Sequence, residues 1–441
     1  VNSYYLSKDE KSDSKTSGGE KVLDSAVGAV KFFSQQFGKY PYDNLNMVET
    51  YLSGGAMEYP QLVQMPKYAD NRDDSNTSYD DMDGGFESSF ILEAAVHEVG
   101  HQWWYVTVGD NEFKESFLDE SITAFSTAYY FEKTCGEYSE NGIVSSLRRM
   151  VSRKDESTSD GTITTPSINS SVDKFKNMGD YGRVIYGNGA LLFEDLRKKV
   201  GEDKFLDIMQ TYFKQYKFKN ASISGFLDIV EQKAGKSVRD SINASLNSPN
   251  YNPQNLKLSD EEHQKLNNEQ LKERIKNMEA KKGIVLGSIF LRLINGEKVI
   301  AAIPANLSKE QKDNLIMTMD GQLGSTSNNL VIKENKNLTE DDLKNNNIIF
   351  IGNPWDNKEL SSIAQNFPVT LTKTGVYSNN FSVRGENISG NVIVKNPLNE
   401  NKLLFISFDN KENFSLAKLD IYRAIQFSIY IDGKQNYSGN F

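Results

Sequence analysis

Residues 97–101 read His97-Glu98-Val99-Gly100-His101, and residues 117–121 read Phe117-Leu118-Asp119-Glu120-Ser121. The first stretch lies in an apolar run from Phe90 to Val106 that predicts a helix, with Ser88 or Ser89 as its cap. On a helix, positions i and i+4 point from one face about one turn apart, so His97 and His101 can grip one zinc ion. Glu98 stands beside them, placed to act on water as a general base rather than on the metal. A catalytic zinc takes three protein ligands and keeps one position open. Glu120, separated from His101 by eighteen residues, is the candidate third ligand. It falls on a second predicted helix, Phe117 to Lys133, and an antiparallel helix pair would carry its carboxylate to the two imidazoles.

The chain around this motif has 441 residues, which suggests two or three domains, and 38% of them are apolar, enough for a sizeable core. A formal charge of −10 excludes a nucleic-acid binder that works by bulk electrostatics, because phosphates would be repelled. One cysteine, Cys135, excludes an intrachain disulfide and a cysteine-built zinc site. No apolar run is long enough to span a membrane. Only three histidines occur, and the third, His263, sits in a charged segment as a solvated side chain. With no spare imidazole, proton transfer falls to a carboxylate.

Four stretches emerge along the chain. Residues 1–19 read as the end of a strand followed by a polar segment, the remnant of an upstream β-rich domain. Residues 20–252 carry mostly helical patterns: Val22 to Phe37, a strand from Leu45 to Leu52, the two motif helices, a loop from Ser152 to Asp180, and an amphipathic helix from Ala190 to Lys199 closed by Gly201. Residues 253–283 form a charged helical connector. Residues 284–441 alternate short β-branched runs with helices, which predicts a C-terminal three-layer α/β domain. Its strands are placed at Val299 to Ile303, Leu330 to Ile332, Ile348 to Ile351, Val369 to Leu371, Val392 to Val394, Leu403 to Phe408 and Phe427 to Ile431, with a helix near Ser415 to Ile425. Ser308 with Gln311, and Thr339 with Asp342, read as capping boxes.

The chain resembles the gluzincin aminopeptidases of the aminopeptidase N and leukotriene hydrolase type over about residues 20 to 250. His97-Glu98-Val99-Gly100-His101-Gln102-Trp103 is similar to the family's zinc helix, and Phe117 to Ser121 to the stretch with the third ligand, with Phe for the usual tryptophan. Gly55-Ala56-Met57-Glu58-Tyr59 resembles the family's Gly-x-Met-Glu-Asn strand. The resemblance implies that Gly55, Ala56, Met57 and Glu58 bind substrate, Glu58 taking the peptide's free α-amino group, while Tyr59 departs from the usual asparagine. Tyr186-Gly187-Asn188-Gly189 resembles the Tyr-x-Lys-Gly turn without its lysine, which implies that Tyr186 stabilises the oxyanion. Tyr181 falls where some members carry a second active-site tyrosine. The implied fold is α+β and thermolysin-like, a mainly helical catalytic domain with a small β-sheet. The family's N-terminal β-rich and C-terminal helical domains are not in this sequence, which predicts an open substrate pocket.

The expected function is that of a zinc aminopeptidase acting on peptide substrates, with Glu98 and Tyr186 catalytic. One rival is a zinc endopeptidase without amine recognition; another is a catalytically weak binding or adhesion module. A protein partner for the C-terminal domain stays open. Low cysteine and a Ser/Asn/Tyr-rich surface lean towards an extracytoplasmic location, secreted or anchored. Two weaker signals carry no site. The aspartates between Asp70 and Asp83 lack a regular calcium loop. Ile349 to Pro354 superficially suggests a phosphate loop, but Pro354 removes an amide donor.

Overall fold

A computed structural model describes residues 1–5, 18–52, 55–67, 85–151, 165–315, 329–412, 414, 420 and 423–441. The aspartates between Asp70 and Asp83 lie outside the described residues, as does most of the helix expected near Ser415 to Ile425. The chain divides into two compact units, and along the described residues the division falls between Glu262 and His263. No helix among the described residues is long and apolar enough to cross a membrane.

The first unit is mainly helical, with a small mixed sheet. Its strands β1 (Asn2–Tyr4), β2 (Asn46–Glu49), β3 (Met57–Tyr59) and β4 (Leu62–Met65) lie in the order β1-β2-β4-β3. β1, β2 and β4 run parallel; β3 returns antiparallel to β4 as an edge strand. A two-strand parallel pair, β5 (Val108–Gly109) with β6 (Lys219–Asn220), ties distant parts of the chain together. The helices are α1 (Gly18–Gln36), α2 (Gly85–Gly100), α3 (Glu112–Glu115), α4 (Ile122–Cys135), α5 (Met178–Tyr181), α6 (Ala190–Val200), α7 (Glu202–Tyr216), α8 (Ile223–Ala234) and α9 (Lys236–Leu246).

Aromatic side chains dominate this core, which buries apolar area at low cost in side-chain entropy. Phe33 meets Trp103 edge-on at 5.7 Å, Phe37 meets Trp104 at 5.2 Å, and Phe117 stacks on Phe193 at 4.7 Å. Trp103 and Trp104 are completely buried, so the residues just after the histidines anchor the end of α2. α6 departs from the expected amphipathic helix: residues Ala190 through Arg197 are all buried. Its charges are compensated internally, Arg197 pairing with Glu194 at 2.6 Å, Glu132 at 3.0 Å and Glu202 at 2.7 Å.

α2 also differs from expectation. It begins at Gly85, so Ser88 and Ser89 lie inside it, and it ends at Gly100, short of Val106. His101 to Val106 form a tight turn with Tyr105 at φ 113. The second motif helix opens with a π-helical turn, Phe117–Ser121, and among the described residues two more π-helical stretches occur at Ile143–Arg148 and Gly182–Gly189. Such turns insert an extra residue and re-aim side chains, and they recur at functional sites.

The second unit is built on a seven-stranded sheet. It uses β7 (Val299–Ile303), β8 (Leu330–Glu334), β9 (Asn347–Ile351), β13 (Ile388–Asn396), β14 (Asn399–Asp409), β15 (Phe427–Ile431) and β16 (Lys434–Gly439), in the order β16-β15-β13-β14-β9-β7-β8. A small antiparallel sheet holds β10 (Thr370–Thr372), β11 (Gly375–Tyr377) and β12 (Ser382–Arg384). β7 and β9 are buried at every position, so both faces must be covered. One face packs on Leu271, Ile275 and Met278 of α10 (Asp260–Lys282) and on Ile289 and Phe290 of α11 (Ser288–Ile294). The other packs on Leu343 of α12 (Glu340–Asn345), Leu360 of α13 (Lys358–Ile363), and Val376 and Val383 of the small sheet. The Thr339–Asp342 capping box is formed, and Ser308 and Gln311 exchange reciprocal bonds ahead of helical residues 309–315. Gly352 N–H, in the stretch that superficially suggests a phosphate loop, donates to the Ser407 carbonyl at 2.9 Å and is not free for a ligand.

Candidate active site

His97 occupies the last turn of α2 and His101 the first residue beyond it. Their spacing brings the two Nε2 atoms to 3.1 Å. Glu120 Oε2 lies 3.2 Å from each. Donors held at ~2.0–2.1 Å around a tetrahedral zinc ion stand ~3.3 Å apart, so this triangle of two imidazoles and a carboxylate fits zinc in size and donor type. The His101 ring is oriented from behind: its Nδ1–H donates to the Trp104 carbonyl at 3.1 Å, with Thr123 Oγ1 at 3.3 Å. With Nδ1 so engaged, Nε2 is the ring atom turned towards Glu120. Burial favours neutral imidazole at His97 and lowers its pKa. Burial opposes charge on Glu120 too, yet the facing His101 and His97 hold its carboxyl well below the usual range.

Two glycines create the room. A Cβ on Gly100 would stand 2.9 Å from Thr123 Cγ2, so its absence lets α2 and α4 approach closely. A Cβ on Gly189 would stand 1.9 Å from Ser121 Oγ, which donates to the Ile185 carbonyl at 2.7 Å. The turn bearing Glu120 is thereby locked against the stretch bearing Tyr186.

Glu98 sits on α2 one position after His97, 7% exposed, and its Oε2 has no hydrogen-bond partner among the described residues. Burial raises its carboxyl to about 8, opposed by His101 and reinforced by Glu58 and Glu120. Glu58, on edge strand β3, brings a carboxylate oxygen within 4.8 Å of those of Glu98 and the His101 ring. Tyr186 stacks on the His97 ring at 5.6 Å, and its hydroxyl interacts with Glu120; burial and that carboxylate push its pKa well up. Tyr181 meets Tyr186 edge-on at 6.0 Å, and burial raises its hydroxyl to about 12. Ala56 packs on the core, Met57 opens β3, and Gly55 has open space where a Cβ would be.

Residues 22–244 match the model of the Peptidase family M1 domain, just over half of the chain. The chain belongs to the M1 peptidase family. Aminopeptidase 2 of Candida albicans is 26% identical over 225 residues, covering 50% of this M1 chain and 23% of that protein. The alanine/arginine aminopeptidase of Saccharomyces cerevisiae is 25% identical over 224 residues, covering 50% of the chain and 25% of that protein. The M1 chain thus spans about a quarter of the length of these curated relatives. A crystal structure of an M1 zinc metallopeptidase from Deinococcus radiodurans aligns with TM-score 0.38 and 16% identity, covering 55% of this chain and 46% of that one.

The structure also gives packing roles at the candidate site to residues to which the sequence motifs assign none. Ser121, Thr123 and Gly189 set how close the elements bearing His97, Glu120 and Tyr186 come. Their signal in the sequence is faint, because a glycine that leaves room looks like any other. Gln102 is the fourth, and its side chain bridges two elements.

Proposed function

We propose that this M1 chain is a zinc aminopeptidase with a thermolysin-like catalytic unit. The observation that carries the reading is the convergence of His97, His101 and Glu120 at 3.1–3.2 Å, with Glu98 and Glu58 at the same place. In this reading the three converging residues hold zinc. When bound, zinc supplies a Lewis acid that acidifies water and polarises the scissile carbonyl. Glu98, its Oε2 unpartnered, takes the proton from the attacking water and returns it to the leaving amine. The Tyr186 hydroxyl donates to the oxygen on which negative charge develops. Glu58 receives the α-ammonium group at a fixed distance from that oxygen, which sets cleavage one residue from the terminus. Gly55, Ala56 and Met57 carry substrate along the β3 edge, and Tyr181 backs Tyr186. Purified protein is expected to hydrolyse aminoacyl anilides, to lose activity to a chelator and to regain it with zinc. Full activity in a Glu98→Gln variant contradicts the mechanism. Equal cleavage of free-amine and N-acetylated substrates shows an endopeptidase instead.

A further inference from the structure

The hairpin that carries Glu58 is locally unfavourable. β3 and β4 join through Pro60-Gln61, with Tyr59 paired to Leu62. Proline followed by a residue of positive φ is the pattern of a type II turn, whose second central position favours glycine. Gln61 occupies it at φ 61. A turn of this hand also splays two-residue hairpins rather than following their twist. β3 is moreover three residues long and, among the described residues, pairs with β4 alone, which holds its position weakly.

Gln102 supplies what the turn lacks. Its side chain is fully buried and bridges the zinc-helix turn to the hairpin. Gln61 N–H donates to Gln102 Oε1 at 2.9 Å, and Gln102 Nε2 donates to the Tyr59 carbonyl at 3.2 Å. From the other side, the Gln61 carbonyl accepts from Asn46 N–H at 2.9 Å and Asn46 Nδ2 at 3.2 Å. Gln102 is itself held: its N–H reaches the Val99 carbonyl at 3.1 Å, and its carbonyl accepts from Thr107 Oγ1 at 2.6 Å. A primary amide offers one donor and one acceptor side by side, which matches a peptide carbonyl and a peptide N–H together.

We propose that Gln102 is a positioning residue that sets the distance between the Glu58 carboxylate and the His97–His101 pair, and so the preference for a free N-terminal amine. The proposal rests on the reading of Glu58 as the amine-binding group. A carboxylate at 102 would face the Tyr59 carbonyl with a second acceptor, and a leucine would take the Gln102 partner away from both backbone groups.

The test compares wild type, Gln102→Glu, Gln102→Leu and Glu58→Gln on one aminoacyl anilide, free and N-acetylated, with zinc content and melting temperature measured alongside. The expected result is that both Gln102 variants keep zinc and lose about 10- to 100-fold in kcat/KM on the free-amine substrate, mostly through KM. The acetylated substrate should be unaffected. Gln61→Gly, which relaxes the positive φ, should restore part of the loss in the Gln102→Leu background. Unchanged discrimination in the Gln102 variants, while Glu58→Gln abolishes it, overturns this proposal alone. Unchanged discrimination in Glu58→Gln overturns the reading beneath it. Equal losses on both substrates, or losses that track zinc content, reduce Gln102 to a structural role and also overturn the proposal.

Discussion

Gly189 packs against Ser121 so closely that an added Cβ would stand 1.9 Å from the serine Oγ and 2.6 Å from its Cβ. This contact joins two π-helical segments, one with Glu120 and one with Tyr186. Gly189→Ala is therefore expected to destabilise the first unit by about 1–3 kcal/mol, the range for overpacking. It should also lower activity by moving Tyr186 away from Glu120. Ser121→Gly in the same chain frees that space and should recover part of the lost activity, though it also removes the bond to the Ile185 carbonyl. Urea unfolding and anilide hydrolysis of the single and double variants check both effects.

Tyr186 lies flat on His97 and reaches Glu120 with its hydroxyl. Tyr186→Phe keeps the stacked ring and removes only the donor. The expected loss is about 10²–10³ in kcat, the scale for one oxyanion donor, with KM nearly unchanged. A loss confined to KM would place the hydroxyl on bound substrate instead of on the developing charge.

How much of this was legible in the sequence depended on what each residue does. His97 and His101 announced themselves because i and i+4 is a geometric signature of one helix face. The spacing pointed to Glu120, but not to the π-helical turn that aims it, since Phe117 to Ser121 has the composition of ordinary helix. α6 looked amphipathic because Glu194, Asp195 and Arg197 are charged. They are buried all the same: Arg197 pairs with Glu194 one turn away on the same helix, and reaches Glu132 and Glu202 only through tertiary packing. In the second unit, β7 and β15 matched their apolar runs residue for residue. β13 and β14 proved longer, because their polar ends continue a hairpin that hydrogen bonding sustains without apolar side chains. β16 has no apolar run to announce it.

Glu202, paired with Arg197, gives the first unit an acid-sensitive joint. Burial opposes charge on Glu202, but Tyr129, Lys133 and Arg197 hold its carboxyl down to about 2, against an ordinary 4.5. A depressed folded pKa stabilises above the unfolded value, and that contribution fades as pH falls from about 4.5 towards about 2. Glu202→Gln should melt lower than wild type at neutral pH, and the gap should close across that window. Thermal melts of both proteins down the acid range measure it; a gap that stays constant with pH would show that the Glu202 charge is not what stabilises.

On the proposed reading, His97, His101 and Glu120 form one zinc site. Metal analysis of purified protein after dialysis against zinc and then against metal-free buffer tests it most directly. One zinc ion per chain is expected in the wild type and in Glu98→Gln, with loss of zinc in Glu120→Ala and His101→Ala. A wild-type chain that emerges without zinc, or a Glu120→Ala variant that keeps it as tightly, would contradict a zinc site at these three residues.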